Sequence, residues 1–576
     1  MLSFLTRLWY KLRNPRPDVR EIDPDEIFLD SQNLPEFNRH QFEGRLERPI
    51  SRKVIVSVLG TFGLILVAIL WQSFSLQVRN GDTYAKKSTQ NRLHQTLIFG
   101  SRGVFYDRNK TYLAWNVIDK DEPSFAKRKY LDKPGISSLL GYLKYPSKDR
   151  AGFYYKVDFE AQDGLEKYYN EYVAPQHGLK IVETNVHGAV QSESLLKPPK
   201  DGASVTLTID ARLQEELYQA IDGLAKEKGF QGGAAVVMDV ETGELLSMVS
   251  FPEYDSQTLT DGQDTSAIKK VLTDSHKPFL NRVVNGLYTP GSVVKPFVAL
   301  AALEEGIITP EKEIVSTGSI SIPNPFDPTK PTVFKDWKAH GAVDMRRALA
   351  VSSDVYFYEV GGGFENQKGL GIANIEKYMR IFGFGAPPPG DFSGQAGSIP
   401  SPEWKRQNFN GEAWNIGNTY HTAIGQYGFQ VTPLQMVRAT AALANGGKLL
   451  EPRIIHEEET TPNYTVVPIK TSSFEVVRGG MLDAVRSGIA GAILLPGVSV
   501  AAKTGTAELG TQKKLVNSWI MGFFPYEHPQ YAFAIVMEKG PRDNIVGAAY
   551  VARQFFEWLT INAPEYLQPT NGTSNK

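Results

Sequence analysis

From Val54 to Val78 the chain reads "VIVSVLGTFGLILVAILWQSFSLQV", twenty-five residues without a charge. About twenty such residues wound as a helix cross the hydrocarbon layer of a bilayer, so the pattern predicts a membrane-spanning helix over 54–78. Arg52 and Lys53 close it on one side and Arg79 on the other, and Trp71 stands where an indole suits the interface. A cleaved signal peptide is not expected, because 53 residues precede the run and no small-x-small site follows it. Within fifteen residues of the span, five Lys or Arg precede it and four follow it, which favours a cytoplasmic N-terminus by a margin of one.

Elsewhere the periodicity is that of a folded, water-facing chain. Residues 1–53 mix charges with prolines ("NPRPDVREIDPDE") and read as a mostly disordered cytoplasmic tail, as do 567–576 at the other end. Residues 79–230 hold short strand-like runs broken by Gly and Pro, such as "SRGVFYDRNKTYLAWN". In "GASVTLTID" the positions Val205, Leu207 and Ile209 alternate as in a half-buried strand. The amphipathic "ARLQEELYQAIDGLAKEKG" predicts a helix ending at Gly229. Residues 231–566 then read as a second domain. It opens on a hairpin, "GGAAVVMDVETGELLSMVSF", and ends on three strand candidates, "VSVAAKTGTAEL", "KLVNSWIMGFF" and "YAFAIVME", and a helix, "AAYVARQFFEWLTI". Strands at both ends with helices between them predict an α+β domain, one mostly antiparallel sheet flanked by helices.

Composition changes this picture little. With 576 residues the chain exceeds one ordinary core. Its net charge of −1, with no basic run, gives no basis for nucleic-acid binding. The absence of cysteine excludes disulfides and thiolate metal sites. The nine histidines show no metal-ligand spacing. Asp327, Asp336 and His340 stand close together in the loop "IPNPFDPTKPTVFKDWKAH", where a polar loop is expected rather than a metal site. No cofactor is implied.

The candidate chemistry begins at "LYTPGSVVKPFVAL", residues 287–300. Ser292 and Lys295 follow a Pro-Gly corner and lead an apolar run of helix formers. Ser292 is expected at the helix N-terminus, where unpaired N–H groups stabilise negative charge, with Lys295 one turn on along the same face. A lysine held among apolar groups can serve as a base at neutral pH. Serine and lysine at this spacing recur from Ser124, Ser194 and Ser266, where capping or surface roles are expected, so the pair alone decides nothing. Its companions are "SSD" at Ser352, Ser353 and Asp354, and "KTG" at Lys503, Thr504 and Gly505, the latter on a predicted strand. There Thr504 and Thr506 are suited to a substrate carboxylate, with Lys503 supplying positive charge. The N–H groups of Ser292 and Thr506 are suited to an oxyanion hole. Without a side chain at Gly505, a peptide substrate is expected to lie along the strand edge.

In this order "SVVK", "SSD" and "KTG" resemble the S-x-x-K, S-x-N and K-T-G signature of penicillin-binding proteins and serine β-lactamases. "RGVFYDRN", "GLEKYYNEY", "LTIDARLQ", "SPEWK", "NTYHTAIGQYGFQVTPLQ" and "NSWIMGFFP" extend the resemblance, to class B penicillin-binding proteins, over roughly residues 54 to 560. "SPEWK" and Asp354 in place of asparagine are similar to the elongation branch. Lys110 stands where the "DRNG" motif has glycine, and a local change of turn is expected there.

The resemblance implies a transpeptidase domain over 231–566 on a non-catalytic β-rich pedestal over 79–230, anchored by one helix in the bacterial cytoplasmic membrane with the catalytic domain outside. It implies Ser292 as nucleophile, Lys295 as its base and Ser352 as proton relay, with Asp354 and Lys503 in the catalytic group and Thr504, Gly505 and Thr506 binding substrate. The implied reaction cross-links peptidoglycan stem peptides ending in D-Ala-D-Ala. β-Lactams would stall at the same serine, and a SEDS-type glycan polymerase and elongation-complex proteins are the implied partners. A β-lactamase would not need the module over 79–230. A bifunctional enzyme would need an E-D-x-x-F glycosyltransferase motif, which is missing there. A carboxypeptidase side activity, a division-type enzyme and a catalytically silent scaffold remain as alternatives.

Overall fold

The computed structural model describes residues 51–90, 93–120, 123–150, 154–184, 190–324, 327, 329–390, 394–457 and 461–568. Residues 1–50 and 569–576, which hold nearly all of both expected tails, lie outside them. The chain divides into two compact units, one ending at Leu93 and one beginning at His94.

In the first unit, helix α1 (Arg52–Phe74) is capped by Ser51, whose hydroxyl accepts from the Val54 N–H. It runs on through a π-helical turn, Ser75–Arg79, so 28 helical residues form one element, whose most apolar 18 have a mean hydropathy of 2.6. That is long and apolar enough to cross a membrane.

In the second unit, a four-stranded sheet orders Val205–Thr206, Phe105–Tyr106, Tyr112–Ile118 and Ala126–Tyr130 side by side. Behind it Glu166, fully buried, accepts from Arg102 Nε at 2.6 Å and from Arg128 Nε at 2.7 Å. Lys110 keeps the positive φ, +65°, that a glycine would supply, so the turn at "DRNK" accepts lysine in the left-handed region instead of changing shape.

Helix α2 (Ala211–Lys228) is capped by Asp210 and stopped by Gly229 in the left-handed region, φ +72°. Strands β1 (Gly232–Asp239) and β2 (Leu245–Phe251) form the expected hairpin. Helices α3 (Lys295–Glu304), α4 (Met345–Val351), α5 (Asp354–Gly362), α6 (Ile416–Ala423) and α7 (Pro433–Ala444) follow. Strands β3 (Ala501–Leu509), β4 (Leu515–Phe524) and β5 (Tyr531–Pro541) and helix α8 (Ala548–Asn562) end the fold.

The five strands make one antiparallel sheet in the order β2-β1-β5-β4-β3, built from both ends of the domain. Side chains on β1 alternate between two cores. Ala234, Val236 and Met238 face a core shared with Phe297 and Leu300 of α3 and Leu434 and Val437 of α7. Ala235 and Val237 face Leu217 and Ile221 of α2 and Phe555 and Phe556 of α8. The first core continues without a break into Phe105, Leu113 and Leu140, so architecture changes near residue 230 while packing does not. Strand β3 lies at the open edge of the sheet, beside the corner that precedes α3.

Candidate active site

Three distant segments build the corner before α3. Gly291 has φ +60°, and residues Gly291–Val294 form one 3₁₀ turn ahead of the α-helix. Ser292 therefore sits in this turn, half-buried, rather than at the helix N-terminus expected from its sequence, and α3 itself begins at Lys295 with Pro296 in its first turn. The Gly291 N–H donates to Gly425 O at 2.9 Å, and a side chain on Gly425 would run into the Gly291 backbone. From the other side a Cβ on Gly505 would stand 2.8 Å from Pro290 O and 3.1 Å from Val293 N. Trp519 Nε1 on β4 donates to Thr289 O at 3.1 Å.

The glycine of "KTG" thus has a different physical reason from the one expected. Gly505 is buried and faces the turn that carries Ser292, not the open strand edge. Thr504 is half-buried and Thr506 exposed, paired in register with Ile520 and Ser518 of β4. A Cβ on Gly291 would lie 2.8 Å from Thr506 O and 3.5 Å from Thr506 N, so the Thr506 peptide passes directly beside the corner.

Lys295 is fully buried. Its Nζ donates to Ser352 O at 2.9 Å, to Ser352 Oγ at 3.3 Å and to Asp354 Oδ1 at 2.6 Å, and it stands 5.4 Å from the centre of the Phe357 ring. Ser352 ends α4 in the left-handed region, φ +58° and ψ +41°, a conformation that costs a residue with a Cβ about 1–2 kcal/mol. Lys503 Nζ reaches the same hydroxyl at 2.8 Å and donates to Thr504 O at 2.8 Å. Burial holds the Lys503 amine well below the usual lysine range, the nearby Lys295 charge adds to the effect, and Asp354 opposes it. Ser352 Oγ thus faces both lysines, leaving its own proton free to point toward a substrate.

Ser292, Lys295, Ser352, Asp354, Lys503 and the strand Thr504–Thr506 are therefore gathered around one corner. The other serine–lysine pairs are not. Lys127 pairs with Asp119 at 2.5 Å, Ser194 and Lys197 share an exposed strand, and Ser266 lies on an exposed helix.

Other residues of the site carried weaker sequence signals. Asp336 lies in the loop expected to be polar rather than metal-binding, and it is held in hydrogen bonds: Oδ2 accepts from Ser353 Oγ at 2.8 Å and from the Val355 N–H at 3.0 Å. Asp327 is elsewhere engaged, with Thr329 at 2.5 Å and Lys330 at 3.1 Å. His421 lies against Phe334 and Tyr358, with ring centres 5.4 and 6.5 Å away. Burial holds its imidazole below the ordinary range, aided by Lys513 and opposed by Asp354.

The chain belongs to the penicillin-binding proteins: residues 233–557 match the penicillin binding protein transpeptidase domain and residues 124–207 the penicillin-binding protein dimerisation domain. Named relatives narrow the branch. Peptidoglycan D,D-transpeptidase MrdA of Haemophilus influenzae is 28% identical over 88% of this chain and 91% of its own. MrdA of Acinetobacter baumannii is 30% identical over 92% of this chain and 91% of its own. Among solved structures, Pseudomonas aeruginosa PBP2 in complex with WCK 5153 matches with a TM-score of 0.66 at 28% identity, covering 83% of this chain and 99% of that one. Helicobacter pylori PBP2 in complex with MreC matches with a TM-score of 0.65 at 27% identity, covering 81% and 98%.

Proposed function

We propose that this chain is an elongation-type peptidoglycan D,D-transpeptidase that works through a serine acyl-enzyme at Ser292. The observation that carries the reading is the Ser352 hydroxyl set between two buried lysines beside the glycine-clamped corner of Ser292. Its relatives' name, peptidoglycan D,D-transpeptidase, supports the same reaction here.

In the first half-reaction Ser292 Oγ attacks the carbonyl carbon of the penultimate D-Ala of a stem peptide, and Lys295 takes its proton. The oxyanion forms beside the N–H groups of Ser292 and Thr506. Ser352 passes a proton to the departing D-alanine amine, drawing on the two lysines that flank it. Thr504, Thr506 and Lys503 receive the terminal carboxylate. In the second half-reaction an amine of another stem peptide attacks the acyl carbon, the cross-link forms and Ser292 regains its proton. A β-lactam opens its ring at the same serine, and its departing amine stays tethered to the acyl group and does not vacate the site.

Helix α1 anchors the protein in the cytoplasmic membrane in a single pass, with the N-terminus inside and the unit from His94 outside, where stem peptides are found. Residues 79–230 serve as a pedestal and 231–566 as the transpeptidase domain. Elongation-complex proteins are the partners, in keeping with the MreC complex of the H. pylori relative, and a SEDS-type glycan polymerase supplies the strands.

The test uses the detergent-solubilised full chain with a fluorescent penicillin. One adduct is expected, located at Ser292 by mass spectrometry and long-lived. Labelling that persists in Ser292→Ala, or rapid release of hydrolysed drug, would sink the reading.

A further inference from the structure

Helix α5 begins with two provisions for its N-terminal N–H groups where one would serve. Ser353 is its N-cap and accepts from the Tyr356 N–H at 3.3 Å, the ordinary capping bond. Asp336 adds a second. Its carboxylate accepts from Ser353 Oγ at 2.8 Å and from the N–H of Val355, the second residue of the helix, at 3.0 Å. Asp336 comes from outside the helix, at the end of a hairpin of Ser319–Ile322 and Thr332–Lys335.

A capping role alone accounts poorly for this arrangement. The Asp336 side chain is fully buried, and burying a carboxylate is costly unless every lone pair is matched. Both oxygens are engaged: Ser316 Oγ also donates to Oδ2 at 3.2 Å and the Trp337 N–H donates to Oδ1 at 2.8 Å, while His340 Nε2 stands 3.5 Å from Oδ1 without a hydrogen bond. Burial by itself would raise this carboxyl. The Val355 and Asp354 N–H groups, the Ser353 hydroxyl and the Lys295 charge together hold it below the usual carboxylate range.

The hairpin is itself fixed. Tyr358 Oη of α5 donates to Lys335 O at 3.2 Å, and Phe334 packs edge-on against Tyr358 and Tyr420 at 5.9 and 5.0 Å. A continuous line of contacts therefore runs from the hairpin through Asp336 to the peptide of Asp354, and from the Asp354 carboxylate to Lys295 Nζ at 2.6 Å.

We propose that Asp336 is a positioning residue for acylation: by holding the backbone from Ser353 to Val355, it aims the Asp354 carboxylate and the Ser352 hydroxyl at Lys295. It touches no substrate and acts only through these neighbours. The proposal rests on the acyl-enzyme reading above, because its effect is on the lysine that activates Ser292.

The experiment separates the two. In the full-length chain in detergent, progress curves with a fluorescent penicillin give the non-covalent binding constant and the first-order acylation constant separately. Asp336→Asn keeps the shape and removes the charge. Its acylation constant should fall by about tenfold or more, with binding changed less than about threefold. Ser353→Ala, which removes one of the bonds, should fall by a smaller factor in the same constant.

Wild-type acylation in Asp336→Asn, or a loss confined to binding, overturns the proposal while Ser292→Ala independently upholds the acyl-enzyme. A loss matched by the unfolded fraction in near-ultraviolet circular dichroism overturns it too, since it marks a merely structural role. Should Asp336→Asn fail to fold, Ser353→Ala decides, and an unchanged acylation constant there ends the proposal. A wild-type chain that never labels at Ser292 brings down the parent reading first.

Discussion

Lys295 Nζ lies 2.6 Å from Asp354 Oδ1, a direct ion pair in which the lysine is wholly buried and the carboxylate about a fifth exposed. An asparagine at this position would accept a hydrogen bond but bring no charge. Asp354→Ala leaves the buried Lys295 amine without its partner, and breaking such a pair costs about 3–5 kcal/mol when both partners are buried. The partial exposure of Asp354 puts the expected loss toward the lower bound. It should appear as a lowered urea midpoint together with slowed acylation. Asp354→Asn should lose less on both measures, because the amide oxygen still accepts from Lys295.

Lys503 is the second buried amine, and its depressed proton affinity has a definite sign in stability. The unfolded chain binds a proton that the folded site resists, so stability rises with pH up to the ordinary lysine value of 10.5. Lys503→Met should flatten that rise on the approach to pH 10.5 in thermal melts, where the wild type gains. The same variant should lose nearly all penicillin labelling, since Ser352 keeps only one of its two lysines. Unaltered labelling would remove Lys503 from the catalytic group.

Gly505 and Gly425 press on opposite sides of the nucleophile turn. A methyl at either meets backbone, which cannot swing away, and such overpacking costs about 1–3 kcal/mol. Gly505→Ala is therefore expected to slow acylation by about tenfold or more, because the turn carrying Ser292 must shift to make room. Gly262→Ala, where a Cβ meets nothing within 4 Å, controls for glycine loss as such, apart from its own positive φ. Equal acylation in Gly505→Ala and wild type would contradict the clamp.

Two glutamates pull stability the other way with pH. Burial raises Glu253 from an ordinary 4.5 to about 7, opposed by N–H bonds from Gly135 and Ser138, and burial with Glu365 nearby raises Glu359 to about 7. In each case the folded state holds a proton that the unfolded chain releases. The stability they contribute is full below about pH 4.5 and is lost as pH rises to about 7. Melting temperatures of Glu359→Gln across that window should fall less steeply than those of the wild type. A parallel pair of curves would show that Glu359 does not titrate there.

In the module before residue 230, Glu166 is the carboxylate that accepts from two buried arginines. Glu166→Ala leaves both guanidinium groups uncompensated and is expected to cost about 3–5 kcal/mol of stability. Penicillin labelling per folded molecule should be unchanged, because Arg102 and Arg128 make their other bonds to Asn170, Gly103 and Asn116, not to the corner of Ser292. A loss of labelling rate in folded protein would reveal a coupling between the two regions.

The sheet was legible because its signals are local. The β1–β2 hairpin announces itself by two apolar runs around "ETGE", and β3, β4 and β5 by apolar strands near the end of the chain. Helix α2 was readable at both ends, from Asp210 to Gly229. The site was half legible. Ser292, Lys295, Ser352 and Lys503 carry their order in the chain, but the reason for Gly505 depends on Pro290 and Val293, which no local pattern connects to it. The part played by Asp336 was hidden for the same cause. Its neighbours in sequence suggest only a polar loop, and the fold alone brings its carboxylate to Ser353 and Val355. The left-handed turn at Ser352 follows from how α4 ends against α5, and nothing in "VSSD" marks it.

The clamp on the nucleophile turn also sets a timetable. Ser292 is synthesised long before Gly425, and Gly425 long before the strand that carries Lys503 and Gly505. Until that last strand docks at the sheet edge, the turn lacks one of its two walls and Ser352 lacks one of its two lysines. A partly folded chain therefore holds Ser292 without the wall at Gly505 and Ser352 without its second lysine.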